Sequence, residues 1–189
     1  MKNLDYENFE MLVAEAGKFH GDICAGISIG TRMTMSGLRR IGITDPKGAD
    51  RKKLVVFVEI DRCATDSIMA LTGCRPGKRT MKVLDYGKMA ATFVNLETGK
   101  AVRLAAANPK GERVQTDFAT IPDEEMFSIT EVEVSLLPGD LPGKPTRRVS
   151  CSRCGESILD GRDIEVEGSF RCKPCAAEKN YYRIPVSGI

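Results

Sequence analysis

Long apolar runs are missing from this 189-residue chain, and none approaches the roughly 18 residues that a membrane-spanning helix requires. The opening stretch MKNLDYENFEML has neither the basic start nor the apolar centre of a secretory signal, so a cytoplasmic protein is expected. Excess charge is also missing. With 28 Lys and Arg against 26 Asp and Glu, the net charge of +2 gives no whole-chain reason to expect a polyanionic partner, and nucleic acid is not the leading expectation. Histidine is nearly absent, so any imidazole chemistry must pass through His20. No internal repeat is visible. What remains is 42% hydrophobic and 29% charged, the balance of a chain that folds, and its length allows one main core plus a small module. Seven cysteines in a reducing compartment point to metal ligands or reactive thiols before disulfides.

Residues 5–18 place Phe9, Leu12, Val13 and Ala16 at helical spacing, and ICAGISIGTRMTMSGLRRIG continues as a second helix after a break at Gly17, His20 and Gly21. Gly26, Gly30, Met33 and Gly37 fall near one face of that helix. Because glycine costs helix stability, this face is expected to meet a close neighbour. LVVFVEI (54–60) reads as a central strand and ATDSIMALTG as a short helix, while CRPGKRT reads as a loop. TMKVLD, KMAATFVN, AVRLAAA and EVEVSLL read as strands, with one helical turn at PDEEMFSI. The expected fold class is α+β: N-terminal helices packed on a mixed or antiparallel sheet, followed by a small C-terminal zinc-finger domain. The expected divisions are a core at 1–137, a Pro/Gly-rich linker at 138–150 and the finger at 151–189.

The finger is the strongest motif. CSRCGESILDGRDIEVEGSFRCKPC gives two Cys-x2-Cys pairs, so Cys151, Cys154, Cys172 and Cys175 can close a tetrahedral structural zinc site. A redox dithiol and a rubredoxin-type iron centre are the rival readings. DIEVEGSFRC reads as a hairpin turning near Glu167 and Gly168, and AAEKNYY as a following helix, an arrangement that resembles treble-clef fingers. About forty residues bury too little apolar surface to fold alone, so metal should supply much of the stability. The basic and acidic residues of the finger balance, which favours a protein-contacting surface over a phosphate-binding one.

In FHGDICAGISIG, Cys24 falls at the start of the second helix, where unsatisfied amides and the positive dipole end favour thiolate. His20, Asp22 and Cys24 can share a late transition metal if the chain turns tightly at Gly21. Cys63 and Cys74 lie in loops beside the central strand. GCRPGK lacks the spacing of a Walker phosphate loop, and DYGK is explained equally well by a turn.

In combination these residues resemble the FmdE proteins, named for the E component of formylmethanofuran dehydrogenase. HGDICAGISIG looks like that family's His-Gly-His-x-Cys-Pro-Gly segment. RCATDSI, LTGCRPGK, DYGKMAATF and FSITEV follow in the family's order, over roughly residues 5–137. The resemblance implies an α+β core that dimerises, with His20, Cys24, Cys63, Asp22 and Cys74 lining a site for a second transition metal. It also implies ligand contacts from Asp66, Lys78 and Lys88, with Cys24 and Cys63 as catalytic candidates. It further implies a setting beside molybdenum or tungsten pterin oxidoreductases of one-carbon metabolism. Asp22 stands where the family has a second histidine and Ala25 where it has proline, so the metal preference of the site is in question. Two other functions fit the residues: an adaptor whose finger binds a partner protein or nucleic acid, and a thiol enzyme with Cys24 as nucleophile and Cys63 or Cys74 as resolving thiol.

Overall fold

A computed structural model describes residues 8–107, 118–183 and 185, which fall into two compact units, 1–135 and 136–189. The first begins with α1 (Phe9–His20) and α2 (Ala25–Arg40), then β1 (Leu54–Val58), α3 (Cys63–Thr72), β2 (Met81–Val83), β3 (Ala90–Asn95) and β4 (Ala101–Ala106). It ends with the single turn α4 (Asp123–Met126) and β5 (Phe127–Glu131). The five strands form a mixed sheet in the order β2-β1-β3-β4-β5, with β1 and β2 parallel and the other pairs antiparallel. This is the α+β class that the sequence predicts.

Alternation along the strands explains the core. Leu54, Val56 and Val58 of β1, Ala91 and Phe93 of β3, and Val102 and Leu104 of β4 share one face and pack with Met33 and Leu38 of α2. A second cluster joins the helices to one another through Phe9, Leu12 and Ala16 of α1, Ile27 and Met35 of α2, and Leu71 of α3.

The glycine face of α2 has the neighbours its composition predicts. A Cβ at Gly30 would lie 2.6 Å from the Ala64 Cα and 2.7 Å from the Ala64 carbonyl oxygen, and a Cβ at Gly37 would overlap the Phe93 ring. Backbone against backbone cannot yield by a rotamer change. Gly30→Ala is therefore expected to push α3 away and to destabilise the core by about 2 kcal/mol despite alanine's better helix propensity. Chemical denaturation checks this, and an unchanged midpoint would refute the close contact.

One strand assignment and one helix boundary need correction. EVEVSLL is not the last strand of the sheet: β5 lies earlier, at Phe127–Glu131, and the pairing ends with the Val132 amide donating to the Ala101 carbonyl. The partner strand begins at Ala101, so no ladder remains for the residues beyond. The first helix also passes through Gly17 and stops only at Gly21, whose φ of 113° suits a residue without a Cβ.

The second unit carries β6 (Arg148–Ser150), β7 (Ser157–Leu159), β8 (Ile164–Val166), β9 (Ser169–Arg171) and α5 (Lys173–Ala177). β6 pairs with β7 and β8 with β9, both antiparallel. Glu167 (φ 51°) and Gly168 (φ 74°) make the predicted tight turn between β8 and β9. The final helix begins earlier than AAEKNYY suggests. Pro174 occupies its first turn, where a missing N–H costs nothing, and Glu178 in the left-handed region ends it. The stretch expected as a linker, 138–150, falls inside this unit: Gly139 is buried, Asp140 pairs with Arg162 at 2.6 Å, and residues 148–150 form β6.

Candidate metal centres

In the finger, one sulfur from each of Cys151, Cys154, Cys172 and Cys175 lies within 4.8 Å of all the others. The Cys154 and Cys172 sulfurs are 4.0 Å apart, close to the roughly 3.8 Å that tetrahedral zinc with four thiolates requires. The Cys172 amide donates to the Cys151 sulfur at 3.4 Å. Backbone amides of Cys154 and Cys172 draw the Cys151 thiol down to about 6, whereas the Cys172 sulfur beside Cys175 pushes that thiol up to about 12. Four thiolates cannot crowd together without a cation. The donor set, its spacing and its charge therefore all fit a closed zinc site.

The core brings together a second group. Ile23 folds back over α1 into the space that Gly17 leaves open, where a Cβ would lie 2.5 Å from the Ile23 side chain. With the turn at Gly21, this sets His20, the last residue of α1, beside Cys24, the N-cap of α2. Cys63 arrives from elsewhere: it opens α3 at the carboxyl end of β1, where ligand sites of parallel βαβ units gather. Close packing of α3 on α2 then unites the two helix starts. His20, Cys24 and Cys63 each place a donor atom within 4.8 Å of the other two, and all three are half-buried. Gly26 faces both thiols, and a Cβ there would lie 3.6 Å from each sulfur and 3.0 Å from the Cys63 Cβ.

His20 is held by an acidic neighbour. Its Nδ1 donates to the Asp66 carboxylate at 2.7 Å, which leaves Nε2 as the nitrogen available to a metal. Asp22 is exposed, with a carboxylate oxygen 3.4 Å from that Nε2. The Cys63 thiol is raised above its ordinary value, first by its hydrogen bond with the Cys24 sulfur and then by burial.

Not every residue singled out from the sequence joins this group. Cys74 sits in the core cluster with its sulfur toward the Leu54 carbonyl, 3.9 Å away, and burial raises its pKa. Ten residues of α3, about 15 Å of helix, separate that end of β1 from Cys63. Cys74 is thus a core residue, because the chain reaches it only after α3 has run back along the sheet. Lys78 is exposed in the turn Pro76–Lys78 near the same end. Lys88 is exposed in the loop after β2, whose Tyr86 and Lys88 amides both donate to the Glu59 carbonyl just beyond β1. Two groups were not foreseen: Glu59, held bidentately by Arg103 at 2.7 and 2.8 Å, and Gly26 as the opening over the thiols. A carboxylate ending a β-branched run was the only sequence sign of the first.

The family model described as FmdE, Molybdenum formylmethanofuran dehydrogenase operon, matches residues 19–132, more than half of the chain. The chain belongs to the FmdE family. Residues 145–181 match the prokaryotic dksA/traR C4-type zinc finger, in agreement with the four-sulfur cluster. A crystal structure of a tungsten formylmethanofuran dehydrogenase FmdE-like protein from Syntrophus aciditrophicus superposes with a TM-score of 0.58 at 21% identity. The match covers 96% of this FmdE-family chain and all of that one, a likeness of fold. A probable S-adenosyl-L-methionine-binding protein of Archaeoglobus fulgidus is 33% identical over 94 residues, which are 49% of this chain. The matched segment spans only 26% of that relative's length. No helix among the described residues is long and apolar enough to cross a membrane.

Proposed function

We propose that this FmdE-family chain carries a second metal in its core, held by His20, Cys24 and Cys63, beside the structural zinc of the finger. The observation that carries the reading is the convergence of three donor atoms from α1, α2 and α3 within 4.8 Å. One nitrogen and two sulfurs suit zinc or another borderline, thiophilic ion. Three protein donors leave a four-coordinate ion one position for an exchangeable ligand, and a metal so held supplies Lewis acidity there.

The chain's own residues do the rest. Asp66 orients the imidazole, and Cys24 and Cys63 offer their sulfurs from the starts of α2 and α3. Asp22, exposed beside His20 and outside the three-donor cluster, has a carboxylate oxygen 3.4 Å from Nε2 and narrows the approach to it. Lys88 supplies a cation on the loop anchored to Glu59 for an anionic ligand at the carboxyl end of β1. The family's description and the tungsten-associated likeness support a role beside a molybdenum or tungsten pterin oxidoreductase of one-carbon metabolism; a cytoplasmic homodimer is part of the same proposal and rests on neither of them. Metal handling for such an enzyme and a reaction at the core metal are both compatible with an open position.

Native mass spectrometry of the full chain, reduced and supplied with zinc, is expected to show two zinc ions per chain. His20→Ala/Cys24→Ser should show one. A wild-type chain that saturates at one zinc would overturn the core site, and the finger serves as the internal reference.

A further inference from the structure

We propose that Cys24 and Cys63 are also a redox pair, closing to an intramolecular disulfide in the metal-free core by exchange with a small-molecule disulfide, so that metal and disulfide occupy the same two sulfurs in turn. This rests on the metal reading above and adds its regulation.

The geometry favours these two thiols. Their sulfurs lie within 4.8 Å of each other, so closure to a bond of about 2.05 Å calls for side-chain rotation rather than refolding. Space for that rotation exists on the Gly26 side, where the missing Cβ leaves open a point 3.6 Å from each sulfur. Both residues are half-buried, within reach of a small oxidant. Cys74 does not compete, being 4% exposed in the core beside Leu54.

The exchange balances without any group from the protein beyond the pair. One cysteine thiolate attacks a sulfur of the small disulfide, forming a mixed disulfide and expelling a thiolate. The second cysteine thiolate then attacks the protein sulfur of that mixed disulfide, forming the Cys24–Cys63 bond and expelling the second small thiolate. Two electrons pass from the cysteine pair to the small disulfide, and the two cysteine protons end on the two released thiols. The oxidised sulfurs no longer carry the negative charge that binds a metal, and His20 alone cannot retain one.

The test uses the full chain with one zinc equivalent, which fills the closed four-cysteine site first. The protein is treated with oxidised glutathione, blocked with N-ethylmaleimide, digested with trypsin and mapped by mass. The expected product links peptide 19–32, which contains Cys24, to peptide 63–78 through Cys63. Cys63→Ser should instead hold glutathione on Cys24. A second zinc equivalent should slow the cross-link roughly tenfold or more, since bound thiolates are withheld from exchange. Cys24 and Cys63 both recovered as maleimide adducts from the one-zinc protein would overturn the redox pair even if a second zinc binds, leaving the metal site standing. A cross-link that forms equally fast with excess zinc would overturn the alternation, and a stoichiometry fixed at one zinc would then assign that failure to the metal site.

Discussion

Cys151→Ser is expected to release the finger zinc and to unfold residues 136–183 while the core unit keeps its fold. Among the described residues of the second unit, the buried hydrophobic side chains are Cys151 and Ile158. Such a core cannot offset the entropy of ordering about fifty residues, whereas structural zinc contributes on the order of 10 kcal/mol or more at neutral pH. Cys151 is also the best-embedded ligand: it accepts the Cys172 amide, and its own amide donates to the Glu156 carbonyl. Removal of zinc by a chelator should reproduce the variant. Hydrogen exchange by mass spectrometry is the measurement: protection should vanish across β6 to α5 and persist across β1, β3 and β4. Retained protection in the finger without zinc would sink the claim that metal holds it.

Acid should act in the same direction. At pH 7 the Cys151 thiol, drawn to about 6, is already largely ionised, whereas Cys175, pushed to about 12 in the metal-free cluster, still holds its proton. Zinc must displace that proton and the one on Cys154, whose thiol the Cys151 and Cys172 sulfurs also raise, and below about pH 6 it must displace one from Cys151 as well. Affinity for zinc therefore falls as pH falls, and the stability that zinc contributes goes with it.

The finger was legible in the sequence because its information is local. Two Cys-x2-Cys turns fix four sulfurs, and Glu167-Gly168 between β-forming residues fixes the hairpin. In the core, the glycines of α2 announced a close neighbour but not which one. That Gly26 meets Cys63, Gly30 meets Ala64 and Gly37 meets Phe93 depends on the crossover from β1 through α3 to β2. The same topology separates Cys63 from Cys74: though near in sequence, they stand at opposite ends of the strand because a helix lies between them. Periodicity misplaced the last strand for a related reason. FSITE and EVEVSLL both alternate, and only the length of β4 decides which one pairs. His20 with Asp66, 46 residues apart, left no local trace beyond the residue types themselves.

Arg32→Met is expected to destabilise the core unit by about 3–5 kcal/mol, the cost typical of breaking one side of a buried ion pair. Arg32 is 1% exposed in the middle of α2, an unusual place for a guanidinium. It donates to the Phe118 carbonyl, to the Ile121 carbonyl at 2.7 Å and to Asp123 at 3.0 Å, and it lies 6.0 Å from the centre of the Phe9 ring. One side chain thus ties the start of α1 and the segment entering α4 to the helix between them. Asp123, 4% exposed, also accepts from Arg39 at 2.7 Å, and Arg40 reaches on to Glu124. With Met at position 32, Asp123 keeps Arg39, which is half in water, but loses its buried partner, and two backbone carbonyls lose their donor. A fall in the core's thermal midpoint on the order of 10 °C should follow. Arg32→Met/Asp123→Asn should cost less than the sum of the two single changes, because the second removes the charge that the first strands. Strict additivity, or a loss under about 1 kcal/mol for Arg32→Met alone, would mean that solvent reaches Asp123 and that the lock does not hold α4 and β5 onto α2.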